Sequence, residues 1–377
     1  MKSKAKFKLI LALILVVSLL AACAPAATEE PVEEPATEEV VEEVEEPTEE
    51  AVEEAEEPTE EAAAEEEAEV EPLRVALILP GRADDVSWNQ ASFTGMNKAV
   101  EDVGVPVDLT IVEEVYDPVD IEPALLDYAQ QGYDLIVGHG FQFQEPIIKV
   151  APDYPDTNFA IGTGYKLQPN VGVYDVRLEQ GGYVMGIISG HLTESGVVGA
   201  VGGVDVSEIH RGHAAYVLGT EAVNPEATVL TTFVGDFNDL AGAKEAALSH
   251  VEAGADVLWQ SGDGVGIAVL GACQEADVLC MGNVANQTEL APNNVVASYV
   301  YDWSAIYSQM IEETAEGTFG DKFYWIEFAN DGVRLEYNPA VADEVVTEEI
   351  QQDVDEAIQG FIDGTLDLGD LDAYELE

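Results

Sequence analysis

The chain of 377 residues carries 75 Asp and Glu against 14 Lys and Arg, a formal charge of -61, yet 47% of it is hydrophobic. That apolar share suffices for a folded core, and the length predicts two to three domains at roughly 100–200 residues each. The acid excess excludes nucleic acid as a partner, because phosphate binding rests on clustered cations, and with it electrostatic docking to an anionic lipid surface.

The charge divides the chain into three parts. Lys2, Lys4, Lys6 and Lys8 precede residues 9–22, which are apolar apart from Ser18. At 14 residues this run falls short of the about 20 needed to span a bilayer, and basic-then-apolar is the order of an export signal. It ends in Leu20-Ala21-Ala22-Cys23, which resembles the bacterial lipobox. That resemblance implies a signal peptide over 1–22, cleavage before Cys23 and acylation of Cys23. The mature chain is then expected on the extracytoplasmic face of the cell membrane, held there by its lipid.

Residues 23–72 are low-complexity, with 23 Glu and no Lys or Arg between residues 29 and 71. Pro31, Pro35, Pro47 and Pro58 interrupt any helix, and like charges four residues apart oppose one. The segment reads as a self-repelling disordered spacer; as a flexible coil it reaches about 40 Å, and repulsion extends it.

From 73 to 377 the chain holds ten Lys and Arg against 52 Asp and Glu. Residues 74–80 read as a buried strand, followed by a helix over about 89–103, a strand at 107–112, a helix at 121–131 and a strand at 134–138. Strands at 159–162, 197–201, 229–233, 257–260 and 278–281 continue the pattern, with helices at about 179–192, 207–222, 240–253 and 267–274. Short apolar strands separated by helices predict an α/β fold with parallel sheets covered on both faces. About ten units exceed one sheet, so two doubly wound lobes are expected, roughly 73–177 and 178–282, with the remaining chain crossing between them and completing both. In such sheets ligands bind beyond the carboxyl ends of the strands, here in a cleft between lobes.

The strand-end loops hold the candidate residues. Asp85, Trp88 and Asn89 follow the first strand, and Phe141 and Glu145 the third. In the second lobe stand Phe237, the run Gly262-Asp263-Gly264, and Asn286. Trp88 and Phe237, from opposite lobes, offer flat faces to a neutral ring whose edges Asn, Asp and Gln would hydrogen-bond. Either aromatic taken singly is equally well explained as packing its loop onto its own lobe. Arg82 is the one basic residue in these loops, so a phosphate there meets more negative than positive charge.

Other chemistries fare worse. Gly262-x-Gly264-x-Gly266 lacks the spacing and the Lys of a phosphate loop. His210 and His213 sit one turn apart with no evident third ligand, so a solvated helix face is favoured over a metal. Neither a Gly-x-Ser-x-Gly elbow nor a nucleophile–base pair is visible, so no enzyme is expected, and no cofactor. Cys273 and Cys280 bracket a helix end and the next strand, where a disulfide and two buried free thiols fit equally.

Asp85-Val86-Ser87-Trp88-Asn89-Gln90, Leu178-Glu179-Gln180-Gly181-Gly182-Tyr183-Val184-Met185-Gly186 and Val198-Gly199-Ala200-Val201-Gly202-Gly203-Val204-Asp205 together resemble the basic membrane protein family, as do Val223-Asn224-Pro225 and Gly242-Ala243-Lys244-Glu245-Ala246-Ala247. These are substrate-binding lipoproteins of ABC importers, whose best-understood members are purine nucleoside receptors. The resemblance, over residues 73 to about 307, implies a type I periplasmic-binding fold, a purine-like ligand and the importer's permease subunits as partners. It places Trp88 where the family carries a stacking Phe, Asn89 at the adjacent amide and Phe237 at the second stacking aromatic. Glu145 takes the position of an Asp, Gly262 to Gly264 match the loop near the sugar, and Asn286 stands for an Asp that holds ribose hydroxyls. Two positions depart from the pattern: Leu79 replaces an Asp, and the late Lys gives way to Tyr301-Asp302-Trp303. A ligand-sensing ectodomain of the same fold, binding a sugar or other small molecule, is the alternative.

Overall fold

The computed structural model describes residues 71–376; the signal-peptide, Cys23 and linker readings lie outside them. In chain order, β1 (Leu73–Ile78), α1 (Trp88–Asp102), β2 (Val107–Val112), α2 (Pro118–Gln130), β3 (Leu135–Gly138), α3 (Gln144–Val150), β4 (Asn158–Gly162) and β5 (Val171–Val176) begin the first lobe. The second contains α4 (Leu178–Leu192), β6 (Val197–Gly202), α5 (Ser207–Val223), β7 (Thr228–Phe233), α6 (Leu240–Glu252), β8 (Val257–Ser261), α7 (Asp263–Ala276), β9 (Leu279–Val284) and β10 (Val295–Tyr301). The chain then returns to the first lobe for α8 (Ser304–Glu316) and β11 (Phe323–Ile326), and to the second for β12 (Val333–Tyr337), α9 (Pro339–Val345) and α10 (Glu348–Ile362).

Each lobe has one six-stranded sheet, ordered β11-β5-β4-β3-β1-β2 and β12-β10-β9-β8-β6-β7. All pairings are parallel except β10 with β12. From Val75 onward β1 is apolar, as β3 is throughout, because helices cover both faces, and Val75 to Ile78 and Leu135 to Val137 are fully buried. Local signals set the helix starts. Asp117 accepts from the Val119 N–H ahead of α2, which has Pro118 at its first position, and Asp239 and Thr347 cap α6 and α10 in the same way. In α10, Ile350, Val354, Ala357 and Phe361 form a buried stripe at helical spacing.

Helices α4 and α5 meet backbone to backbone. A Cβ built on Gly186 would lie 2.3 Å from the Tyr216 carbonyl oxygen, and one on Gly219 2.0 Å from that of Tyr183. Only glycine permits this approach, and it fixes α5, which carries cleft residues, against α4.

Three segments cross between the lobes, at 176–178, 301–304 and 326–333. An ion cluster ties the first of them to the last. Arg211 of α5 donates to Asp175 of β5 (3.0 Å) and to Glu179 of α4 (3.3 Å). Arg177 stacks on Trp325 of β11 at 3.6 Å and reaches Glu179 at 3.4 Å. The Tyr299 hydroxyl donates to the Arg177 carbonyl (3.1 Å), and the Phe328 N–H donates to the Gln180 side chain (3.0 Å). Burial raises the Asp175 pKa while Arg211 beside it pulls the other way.

Candidate functional site

A cleft of about 540 Å³ opens between the lobes. Every strand from β1 to β4 and from β6 to β9 contributes residues to it at or just beyond its carboxyl end, as the doubly wound topology requires. The structure brings Asp85, Trp88, Asn89, Phe141, Phe237, Gly262, Asp263 and Gly264 together on its walls.

Trp88 is set by a buried polar chain. Its ring stacks on His139 at 4.2 Å and 18°, with Trp303 edge-on at 5.4 Å, so one face remains for the cleft. Trp88 Nε1 donates to the His139 carbonyl (3.3 Å), and His139 Nε2 donates back to the Trp88 carbonyl (3.1 Å). Because a carbonyl can only accept, the imidazole proton sits on Nε2, and Nδ1 accepts from the Tyr174 hydroxyl (2.7 Å). Tyr307 donates to Tyr174 (3.2 Å), and Ser92 contacts Tyr307 at 2.8 Å. Burial pushes the His139 pKa down to about 3, so the ring is neutral at physiological pH. This satisfied network fixes the orientation of Trp88.

The facing aromatic, Phe237, lies across Gly203, where a Cβ would come within 2.3 Å of its ring. Its nearest aromatic across the cleft is Phe141, at 6.3 Å between centroids. Phe237 thus packs on its own lobe and also presents a face to the other.

Asp85 and Asn89 are engaged by the protein itself. The Asp85 carboxylate accepts from the N–H groups of Ser87, Asn89 and Gln90 and from Asn89 Nδ2 at 2.7–3.0 Å. Asn89 Oδ1 accepts from the Gly81 N–H (3.0 Å). Together they close the loop before α1 and aim Trp88, a task that spacing alone does not distinguish from ligand contact. Asp263 reaches across to the first lobe, accepting from Ser87 Oγ at 3.3 Å. Burial, and then the Asp85 carboxylate, push its pKa up to about 7, against the Ser87 hydrogen bond.

Two candidates lie elsewhere. Glu145 is exposed on α3, paired with Lys166, because the turn after Phe141 points that side chain outward. Asn286 donates to Glu336 (2.7 Å) and accepts from the Thr288 N–H (3.1 Å), so its amide organises the loop after β9. The histidines differ from the solvated face expected of them. His213 is fully buried against Ser261 Oγ (2.8 Å), and His210 meets Asp205 and the Tyr374 carbonyl, each at 2.9 Å. Cys273 and Cys280 are buried free thiols, which sets aside the disulfide; a hydrogen bond between them adds to burial in raising the Cys280 pKa.

The pattern reading missed Glu208, in the first turn of α5, where a Glu is ordinary because it favours the helix dipole. Here it is 8% exposed and lines the cleft. Also missed were backbone outliers: Glu114, Thr163 and the β-branched Val284 line the cleft with φ of 62°, 52° and 71°, and Val86 beside it has 56°. Left-handed conformations in such residues cost about 1–3 kcal/mol each and gather at ligand sites. Among the described residues, Arg82 is the one cationic side chain lining the cleft, and Asp84 holds it at 2.8 Å. Five carboxyl groups line it as well: Asp84, Asp85, Glu114, Glu208 and Asp263.

Comparison with known proteins fits this architecture. The family described as ABC transporter substrate-binding protein, PnrA-like, matches residues 73–363. A purine-binding protein of Brucella abortus is 28% identical over 255 residues, 68% of this chain and 72% of its own length. A Haloferax volcanii protein provisionally named as an ABC transporter glucose-binding protein is 31% identical over 281 residues, 74% of this chain and 70% of its own. The solved ABC transporter solute-binding protein of Conexibacter woesei is similar with a TM-score of 0.65 and 30% identity, over 79% of this chain and 99% of its own.

Proposed function

We propose that this chain, which belongs to the PnrA-like family of ABC transporter substrate-binding proteins, captures a neutral purine nucleoside or related heterocycle between its lobes and delivers it to an importer's permease. The observation that carries the reading is the pairing of flat faces, Trp88, Phe141 and Phe237, with a wall of five carboxyl groups and one already-paired guanidinium. A monophosphate or dicarboxylate entering it meets net negative charge in a poorly hydrated space, a cost that a neutral ring avoids. The relative named for purine binding supports the same ligand class.

A panel of nucleosides, bases, nucleoside monophosphates, sugars and amino acids in a thermal-shift assay tests it. Purine nucleosides or bases should raise the melting temperature and their monophosphates should not. Stabilisation by a sugar alone would instead support the second reading, a sugar-binding or sensing ectodomain, which the relative named for glucose favours.

The anchor belongs to the same proposal. Acylated Cys23 would tether the domain outside the cell through residues 24–72, within reach of its permease. In a bacterium with intact lipoprotein processing, Cys23→Ser should move the protein from the membrane to the soluble fraction. A full-length variant that stays with the membrane would refute the anchor and leave the ligand reading standing.

A further inference from the structure

Glu208 stands apart from the other acids of the cleft. Asp84 is held by Arg82, Asp85 by three backbone N–H groups and an amide, and Asp263 by Ser87, while Glu114 stands in solvent. Glu208 is 8% exposed, lines the cleft, and makes no hydrogen bond or ion pair with any described residue. Its carboxyl oxygens are not among the fully enclosed atoms without a partner, so they open into the cleft, where a ligand rather than the protein can complete their hydrogen bonds.

Its surroundings favour the uncharged form. Asp175 of β5, Glu179 of α4 and Asp263 of α7 act on it as like charges, and Arg211, one turn along α5, is shared with Asp175 and Glu179. Tyr301 of β10 also faces it. Burial foremost, then Asp175, raise its pKa well above the carboxylate range, with Arg211 opposing. A protonated carboxyl group has one O–H donor beside one C=O acceptor.

We propose that Glu208 is the specificity-determining residue of the cleft, presenting an uncharged carboxyl group that pairs with a ligand edge carrying an adjacent acceptor and donor. The six-membered ring of a 6-oxo or 6-amino purine has such an edge, and methylation at N1 of a 6-oxo purine removes its donor. The assignment deepens the purine reading and rests on it.

Calorimetric titration with inosine and 1-methylinosine, from pH 6 to 9, tests the assignment on wild type, Glu208→Gln and Glu208→Leu. The folded pKa of Glu208 is raised, so its hydrogen bond is present at low pH and lost as pH rises through that value. Wild type should bind inosine at least tenfold more tightly than 1-methylinosine, with affinity falling at high pH. Glu208→Gln, which keeps a donor and an acceptor, should bind within a few-fold of wild type and lose the part of the pH slope due to Glu208. Asp263 and Tyr301 remain in both proteins and contribute equally. Glu208→Leu should lose tenfold or more for inosine and no longer discriminate, while the ligand-free variant melts no lower than wild type because no hydrogen bond or ion pair within the protein is lost. Equal inosine binding by wild type and Glu208→Leu overturns the assignment and spares the purine reading. A lower ligand-free melting temperature in Glu208→Leu also overturns it, by giving Glu208 a structural role. Wild type that ignores inosine fails the purine reading itself, and the assignment with it.

Discussion

Arg211→Met should cost about 3–5 kcal/mol of folding stability at neutral pH, the penalty for removing one partner of a buried ion pair. The guanidinium joins Asp175 and Glu179, both largely buried, where the chain crosses between lobes. Without it, two enclosed carboxylates face each other and Glu208 gains a further uncompensated neighbour. The loss should depend on pH. Burial already holds the Asp175 pKa above its unfolded value of 3.8, and removing Arg211 raises it further. The folded state then binds more protons than the unfolded state across that interval, so the variant's stability falls as pH rises through it and recovers on acidification. Urea unfolding of both proteins at pH 7 and pH 5 separates this from general charge repulsion, which both share. A difference below 1 kcal/mol at pH 7, or one that does not narrow at pH 5, would show the cluster to be ornamental.

Trp88→Ala should weaken binding of the ligand that the panel identifies at least fivefold. A stacked ring contributes about 1–3 kcal/mol, or roughly five- to 150-fold in affinity, and its truncation also frees His139, on which it stacks. Because emptying that space destabilises the fold as well, Trp88→Phe is the informative companion. It keeps a stacking face and should stay within about tenfold of wild type. Ligand addition should quench tryptophan fluorescence in wild type and much less in Trp88→Phe, since Trp259 and Trp303 are fully buried and Trp325 lies under Arg177 at the crossing. Full affinity and full quench in Trp88→Phe and Trp88→Ala alike would remove Trp88 from the site.

Much of the fold was readable because its signals are local. Runs such as Val75 to Ile78, and the helices between them, depend on neighbours in sequence. The strands β5, β10, β11 and β12 lack that local signal. β5 contains Gly172 and Asp175 and follows β4 with no helix between, and β10 to β12 come after the regular alternation has ended. The cleft was legible as a set of loops, since the carboxyl ends of parallel strands gather ligand sites whatever the sequence. Individual roles were not. Asp85 and Asn89 have the chemistry of ligand contacts, but their partners are backbone groups of their own loop. Glu145 and Asn286 stand a few residues from the cleft and point away. Glu208 reads as an ordinary first-turn acid until Asp175, Glu179 and Asp263, distant in sequence, close around it.

The three crossings between the lobes have a mechanical consequence. One strap would let two bodies swivel freely, and two would define an axis with some twist about it. Three short straps anchored in opposing sheets, the first and last of them braced by Arg177 on Trp325 and by Arg211 on Asp175 and Glu179, should confine the lobes to rotation about one axis. The two lobes are then expected to move along one coordinate, the opening angle. Filling the cleft and changing the spacing of the outer faces are the same motion read at two ends, so anything that grips both lobes from outside measures occupancy without touching the ligand.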